Sequence, residues 1–293
     1  MTPTSLKTTQ YYKWHHQGRN FQIAYETRGE GSPLLLLPAF STVSTRQEML
    51  GLTESLASDF QAVTLDWLGF GDSDRPNVNY GRLLYEELLK DFIQDTFSEP
   101  VAIVAAGHAA GYTMQVAYSH PALFSKMLLI APTWKGPLRV MGAPTVVAQG
   151  VRNLVKLPLI GQVLYGLNTT PAFLKFMYKR HVYTDINHLT PEFIAEKHQL
   201  TQQLGGRFAP ATFVTGGLDP MTSHEEFLQV AQALTLPIKI IIGEQSPPQS
   251  KAEMEALAAL PNIESAHLPG SLGMHEEYAS PVAKIAKSFV GEN

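Results

Sequence analysis

What most restricts the fold of this chain is the alternation of short apolar runs with stretches of helical periodicity. The segment Pro33 to Pro38, entered after Gly29 and Gly31, is continuously apolar, as a strand buried on both faces must be. Gln61 to Asp66, Pro100 to Ala106 and Lys126 to Ala131 read the same way, with helical patterns at Tyr80 to Phe97 and Tyr112 to His120 between them. Two extended segments, Gln10 to His16 and Phe21 to Thr27, come first. The alternation resumes at Leu236 to Gly243 and runs through a helix at Lys251 to Leu260, a strand at Ile263 to Leu268 and a closing helix at Ser280 to Val290. Strand, helix and strand in succession predict an α/β fold with a mostly parallel central sheet flanked by helices.

Residues 135–208 interrupt this pattern. They are mostly helical in character, broken by Pro and Gly, and far longer than the roughly 2 to 6 residues of an ordinary βα loop. The expected organisation is therefore a core made of residues 1–134 and 209–293, with 135–208 inserted as a helical cap. Between Lys135 and Thr184 there are seven basic residues (Lys135, Arg139, Arg152, Lys156, Lys175, Lys179, Arg180) and no acidic one. Interleaved with apolar residues, they suit contact with an anionic membrane surface or the entry of an amphiphilic substrate; they equally suit the solvated outer face of a packed lid.

Composition narrows the function. The net charge of −4 supplies no basic field for a nucleic acid. Cysteine is absent, so disulfides, thiolate metal sites and a Cys nucleophile are excluded, and a reducing, cytoplasmic setting is expected. Residues 1–18 lack the apolar core of a signal peptide, and no apolar stretch approaches the roughly 20 residues that span a bilayer. His15-His16, His224-Glu225-Glu226 and His275-Glu276-Glu277 lack the i, i+4 His pair of a zinc helix, so no metal is expected.

Three segments, in order, carry a resemblance: Leu34 to Phe40, then Asp66-Trp67-Leu68-Gly69-Phe70-Gly71-Asp72-Ser73, then Val104-Ala105-Ala106-Gly107-His108-Ala109-Ala110-Gly111. From Phe21 onward the chain resembles the α/β-hydrolase superfamily, in the capped branch of epoxide hydrolases, haloalkane dehalogenases and small esterases. The Asp-x-x-Gly-x-Gly-x-Ser stretch marks that branch and is not a dinucleotide fingerprint, since no helix N-terminus follows where one is required. No cofactor is implied.

The resemblance also locates the departures. A nucleophile elbow reads Gly-x-Ser-x-Gly, which aligns Ala109 with the nucleophile, and a methyl group cannot attack a carbonyl. The acid position, Gly-x-x-Asp after the strand that follows the cap, falls on Ser246 of Gly243-Glu244-Gln245-Ser246, with Glu244 and Asp219 as substitute carboxylates. Asp219 also suits a turn or the cap of a helix beginning near Thr222 or Ser223. His275 is the expected histidine, although the family often writes Gly-x-Gly-His and Met274 intervenes here. By the same resemblance the backbone N–H groups of Phe40 and Ala110 form an oxyanion site, with Pro38-Ala39 in place of the usual His-Gly before Phe40. Trp134, Tyr165 and Phe176 are candidate walls of an apolar pocket.

Three functions are consistent with this pattern. The first is a protein with a degenerate triad that binds an apolar or amphiphilic small molecule under its cap. The second is an enzyme in which His275 acts as a base without a covalent intermediate. The third is an esterase-like hydrolase inactivated at Ala109, by nature or by engineering, against which Ser246 stands as a second loss.

Overall fold

The computed structural model describes residues 9–157 and 159–291. Residues 1–8, at the head of the segment read above for a signal peptide, lie outside the described residues. Eight strands form one sheet: β1 Gln10–His16, β2 Arg19–Arg28, β3 Ser32–Leu37, β4 Phe60–Leu65, β5 Val101–Ala106, β6 Phe124–Ile130, β7 Ile238–Gly243 and β8 Ile263–Leu268. Their order is β1-β2-β4-β3-β5-β6-β7-β8. β1 and β2 form an antiparallel hairpin through Gln17 and Gly18, both with positive φ, as a two-residue turn between right-twisted strands demands. β2 meets β4 antiparallel, and every later pairing is parallel. β5 is buried along its whole length, which accounts for its continuous apolar sequence.

The helices are α1 Leu50–Leu56, α2 Arg82–Thr96, α3 His108–Ser119, α4 Pro137–Val140, α5 Thr145–Lys156, α6 Ile160–Leu167, α7 Pro171–Met177, α8 Pro191–Thr201, α9 Phe208–Val214, α10 His224–Ala233, α11 Pro248–Ala258, α12 Met274–Glu277 and α13 Ala279–Gly291. α4 to α10 lie between β6 and β7, and α4 to α8 fall within the expected cap. A short helical turn, Arg46–Met49, precedes α1.

Strand order reverses around β3, which lies between β4 and β5, so the loops leaving β3 and β5 border one crevice. The loop after β3 is held by aromatic packing: the Phe40 ring stacks on Trp67 at 4.9 Å and meets Tyr85 and Tyr112 at 4.9 and 5.2 Å. The polar atoms of these rings are satisfied, since Trp67 Nε1 donates to the Pro38 carbonyl at 3.0 Å and the Tyr112 hydroxyl to the Leu218 carbonyl at 2.7 Å.

The Asp66 loop is the second organised feature. Asp66 accepts from the backbone N–H of Arg46 at 2.5 Å, from the Arg46 guanidinium, and from the Asp72 N–H at 2.7 Å. Gly71 is required beside it: its φ is +53°, and a Cβ there would fall about 2 Å from the Asp66 carboxylate. Burial pushes the Asp66 carboxyl up to about 6, against the pull of Arg46.

Candidate functional site

β5 ends at Ala106 and α3 begins at His108, so the reversal from strand to helix rests on Gly107. Its φ of 53° and ψ of −126° are tolerated at little cost only by glycine. In a hydrolase elbow the reacting side chain stands on that strained residue. This corrects the expectation for Ala109, which lies within the first turn of α3 and is fully buried. The Gly107 to Gly111 frame matches the motif whichever residue carries the turn; backbone dihedrals decide it. A Cβ at Gly107 would lie 3.1 Å from Ala39 Cβ and 3.8 Å from Thr133 Oγ1.

The oxyanion expectation changes with it. The Ala110 N–H donates to the Gly107 carbonyl at 3.2 Å, closing the first turn of the helix, and His108 is the residue that follows the elbow. Phe40 remains on the loop after β3, buried among its aromatic neighbours.

At the end of β7, Ser246 Oγ is buried and has no hydrogen-bond partner among the described residues. A Cβ on Gly243 would lie 2.7 Å from that oxygen and 3.0 Å from Met274 Cε, so the Ser246 and Met274 side chains both border the space over Gly243. His275 does not face Ser246. Its Nε2 lies 3.3 Å from Glu48 Oε2, and its Nδ1 has no partner among the described residues. The physical reason is helical: within α12 successive side chains diverge by roughly 100°, so the residue directly after Gly273 turns to the space over Gly243 and the next turns away. In the Gly-x-Gly-His frame the residue after the second glycine is Met274.

Glu244 is exposed, so it does not replace the missing carboxylate beside buried His275. Asp219 serves neither as triad acid nor as helix cap. It accepts from the Gly136 N–H at 2.8 Å and from Arg139 at 2.7 Å, tying the start of the insertion to the core, while Ser223 caps α10. His108 sits beside it, with Nδ1 2.8 Å from Thr133 Oγ1 and Nε2 3.7 Å from Asp219.

His275 instead belongs to a buried charge cluster that sequence analysis missed. Lys197 of α8, 4 % exposed, donates to Glu276 at 2.9 Å. Burial raises the Glu48 carboxyl above its ordinary range, opposed by His275 and Lys197. Burial also works to raise Glu276, yet Lys197 and Tyr183 hold it below that range. Glu277 accepts from the backbone N–H groups of Thr184 and Asp185 at 2.9 and 2.6 Å, so α12 fastens the inserted helices to the core. Glu48 is 227 positions from His275, and neither Glu48 nor Lys197 lies in a motif; contact alone reveals them.

The three aromatic candidates are dispersed. Trp134 is buried, packs on Phe227 at 6.3 Å, and borders a cavity of about 30 Å³, room for one water. Phe176 is 55 % exposed on the insertion. Tyr165 is half-buried on α6 with its hydroxyl buried, one turn from Gln162, which lines a cleft of about 570 Å³ between the Asp72 to Arg75 loop and the helices that follow β6. Among the described residues no group of three or more His, Asp or Glu is placed to hold a metal ion, and no helix is long and apolar enough to cross a membrane.

A doubly flanked, mostly parallel sheet with a strained elbow after its central strand defines the α/β-hydrolase class. A model of the alpha/beta hydrolase family matches residues 34–284, and the chain belongs to that family. Among solved structures, the fold is similar to a variant of a meta-cleavage product hydrolase, CumD (TM-score 0.74, 16% identity, 97% of this chain and 98% of that one). It is also similar to a haloalkane dehalogenase loop variant from Bradyrhizobium elkanii (0.70, 15%, 97% and 97%) and an enol-lactonase from Burkholderia xenovorans (0.69, 14%, 93% and 97%). These identities speak for the fold alone. An uncharacterised protein of Mycobacterium tuberculosis (strain H37Rv) is 32% identical over 124 residues, 42% of this chain and 35% of its own length; an uncharacterised Mycobacterium bovis protein matches to the same extent. The chain spans about a third of the length of the curated relatives it matches.

Proposed function

We propose that this protein uses the α/β-hydrolase fold to bind an amphiphilic small molecule between cap and core, without covalent catalysis. The observation that carries the reading is the absence of any side chain at the elbow: Gly107 offers no nucleophile, and Ser246 and Met274 stand where an acid and a histidine are needed. His275 does not rescue a base-only mechanism, because it is 3 % exposed and turned toward Glu48. The cleft beside Gln162 and Phe208 is of ligand size and joins both parts of the molecule. Calorimetric titration with decanol, an uncharged amphiphile, is expected to give saturable binding to one site, and p-nitrophenyl esters of short to medium chain to give no turnover. Turnover that survives purification and disappears on mutation of His275 overturns the reading.

A second reading concerns the outer face of the cap. Val146, Leu154, Ile160, Val163, Leu167 and Phe176 are all at least 46 % exposed on α5, α6 and α7. Of the seven basic residues noted above, Arg139 is paired with Asp219 and Arg152 bonds to Thr215, whereas Lys175, Lys179 and Arg180 face solvent. An apolar face rimmed by unopposed positive charge is suited to an anionic bilayer surface. Co-sedimentation at low salt is expected to favour vesicles containing anionic lipid over neutral ones, with the difference lost at high salt; equal binding to both at low salt removes this role.

A further inference from the structure

The cap–core cleft is lined by a guanidinium that makes no direct ion pair among the described residues, although the Asp66 and Asp72 charges act on it. Arg75, on the core side, makes no side-chain hydrogen bond or ion pair among the described residues, and its Nη2 is buried without a partner. On α6, one turn beyond the lining residue Gln162, the Tyr165 hydroxyl is also buried and unpartnered. Burial raises the Tyr165 phenol above its ordinary value, opposed by the Arg75 charge. Arg207 adds a second guanidinium to the lining; its Nε donates to the Val155 carbonyl at 3.2 Å and its plane lies over Phe208 at 4.4 Å.

The acidic residues of the same wall are already engaged. Asp72 accepts from Arg46 at 2.9 Å, and Asp74 accepts from the Gln22 N–H at 2.8 Å. A guanidinium and a phenol withdrawn from water with nothing to bind are each costly, and natural proteins pair such groups. Beside them Leu204, 97 % exposed, and Phe208 offer apolar surface.

We infer that this cleft is the seat of an anionic head group, carboxylate or phosphate, carried on an apolar tail, held by the Arg75 and Arg207 guanidinium groups and the Tyr165 hydroxyl. The inference rests on the ligand-binding reading above and names the chemical class for that site. Guanidinium planes match such oxygens in pairs, and the phenol on α6 is a candidate third donor. Because the donors come from core and insertion alike, occupancy would also hold the two together.

The test is calorimetric titration of the full chain with decanoate, decyl phosphate and decanol. The anions are expected to bind at least about tenfold more tightly than decanol, the scale of a charge-assisted hydrogen bond. Decanoate stronger than decyl phosphate, or the reverse, identifies the head group. Arg75→Gln should weaken the anions by about 10- to 100-fold and leave decanol within about twofold, with Tyr165→Phe acting in the same direction more mildly. Arg75→Gln should also leave the melting temperature little changed, since burial of the guanidinium and the nearby Asp66 and Asp72 charges act in opposite directions; a purely structural arginine would lower it. Decanol binding as well as the anions, unchanged by Arg75→Gln, overturns the anion inference and leaves the proposed function standing. Failure of all three to bind overturns both.

Discussion

The triple variant Gly107→Ser, Ser246→Asp, Met274→His is expected to acquire a serine that a fluorophosphonate labels covalently, whereas Ala109→Ser is expected to remain unlabelled. A hydroxyl at Gly107 would stand on the strained turn from which this fold presents its nucleophile. Asp and His at 246 and 274 would occupy side-chain positions that both border the space over Gly243. Triad members act as a unit, and their loss can cost on the order of a millionfold, so each single substitution should restore little. The triple variant should react faster than the unaltered chain by on the order of a thousandfold or more. Serine at 109 would instead lie inside the first turn of α3, where the native Ala is fully buried. A side chain at residue 107 carries about 1–3 kcal/mol of backbone strain, so thermal melts must accompany the labelling. Labelling of Ala109→Ser in preference to the triple variant would show that the elbow has been placed on the wrong residue.

The largest stability effect should come from Arg46→Met. Arg46 is 4 % exposed and donates to Glu26 at 3.0 Å, to Asp72 at 2.9 Å, to Thr9 at 2.8 Å and to Asp66. Removing it leaves Asp66 in the interior with backbone donors but no countercharge, and Glu26 with Arg28 at 3.5 Å and Gln47 at 3.4 Å, a change that costs about 3–5 kcal/mol where a buried pair is broken from one side. Urea unfolding at pH 8 checks the magnitude. The pH dependence follows from Asp66, whose carboxyl is raised by burial from 3.8 to about 6. Its stabilising contribution is fully present below about pH 3.8 and is lost as pH rises through about 6, because the folded state holds the proton more tightly than the unfolded chain. Loss of Arg46 raises that folded value further, so the variant should be less impaired at pH 5 than at pH 8. An equal loss at both would show that Asp66 does not depend on Arg46 for its charge.

Much of the sheet was legible because parallel strands buried on both faces must be apolar throughout. β1 and β8 run as the sequence predicts, and the others differ at their ends by one or two residues. α3 begins at His108, four residues before the helical pattern at Tyr112 suggests. Its first turn is made of small residues with no periodic signal, and Gly111 reads as a break. In the structure Gly111 is there for packing: a Cβ would come within 2.4 Å of Pro220 Cγ. Asp219 shows the same limit, since a Gly-x-Asp-Pro turn carries no sign that its carboxylate will fasten Gly136 and Arg139, 83 and 80 positions away.

Sequence alone determined the class of fold, because an apolar period is a property of residue types in order. The tertiary structure decided where the elbow lies, that Met274 and Ser246 border the space over Gly243 while His275 meets Glu48, and that Arg75 lines a cleft with one nitrogen buried and unpartnered. These depend on one residue's dihedral angles, on a rotation of about 100° along a short helix and on contacts between segments far apart in the chain, none of which a linear motif encodes.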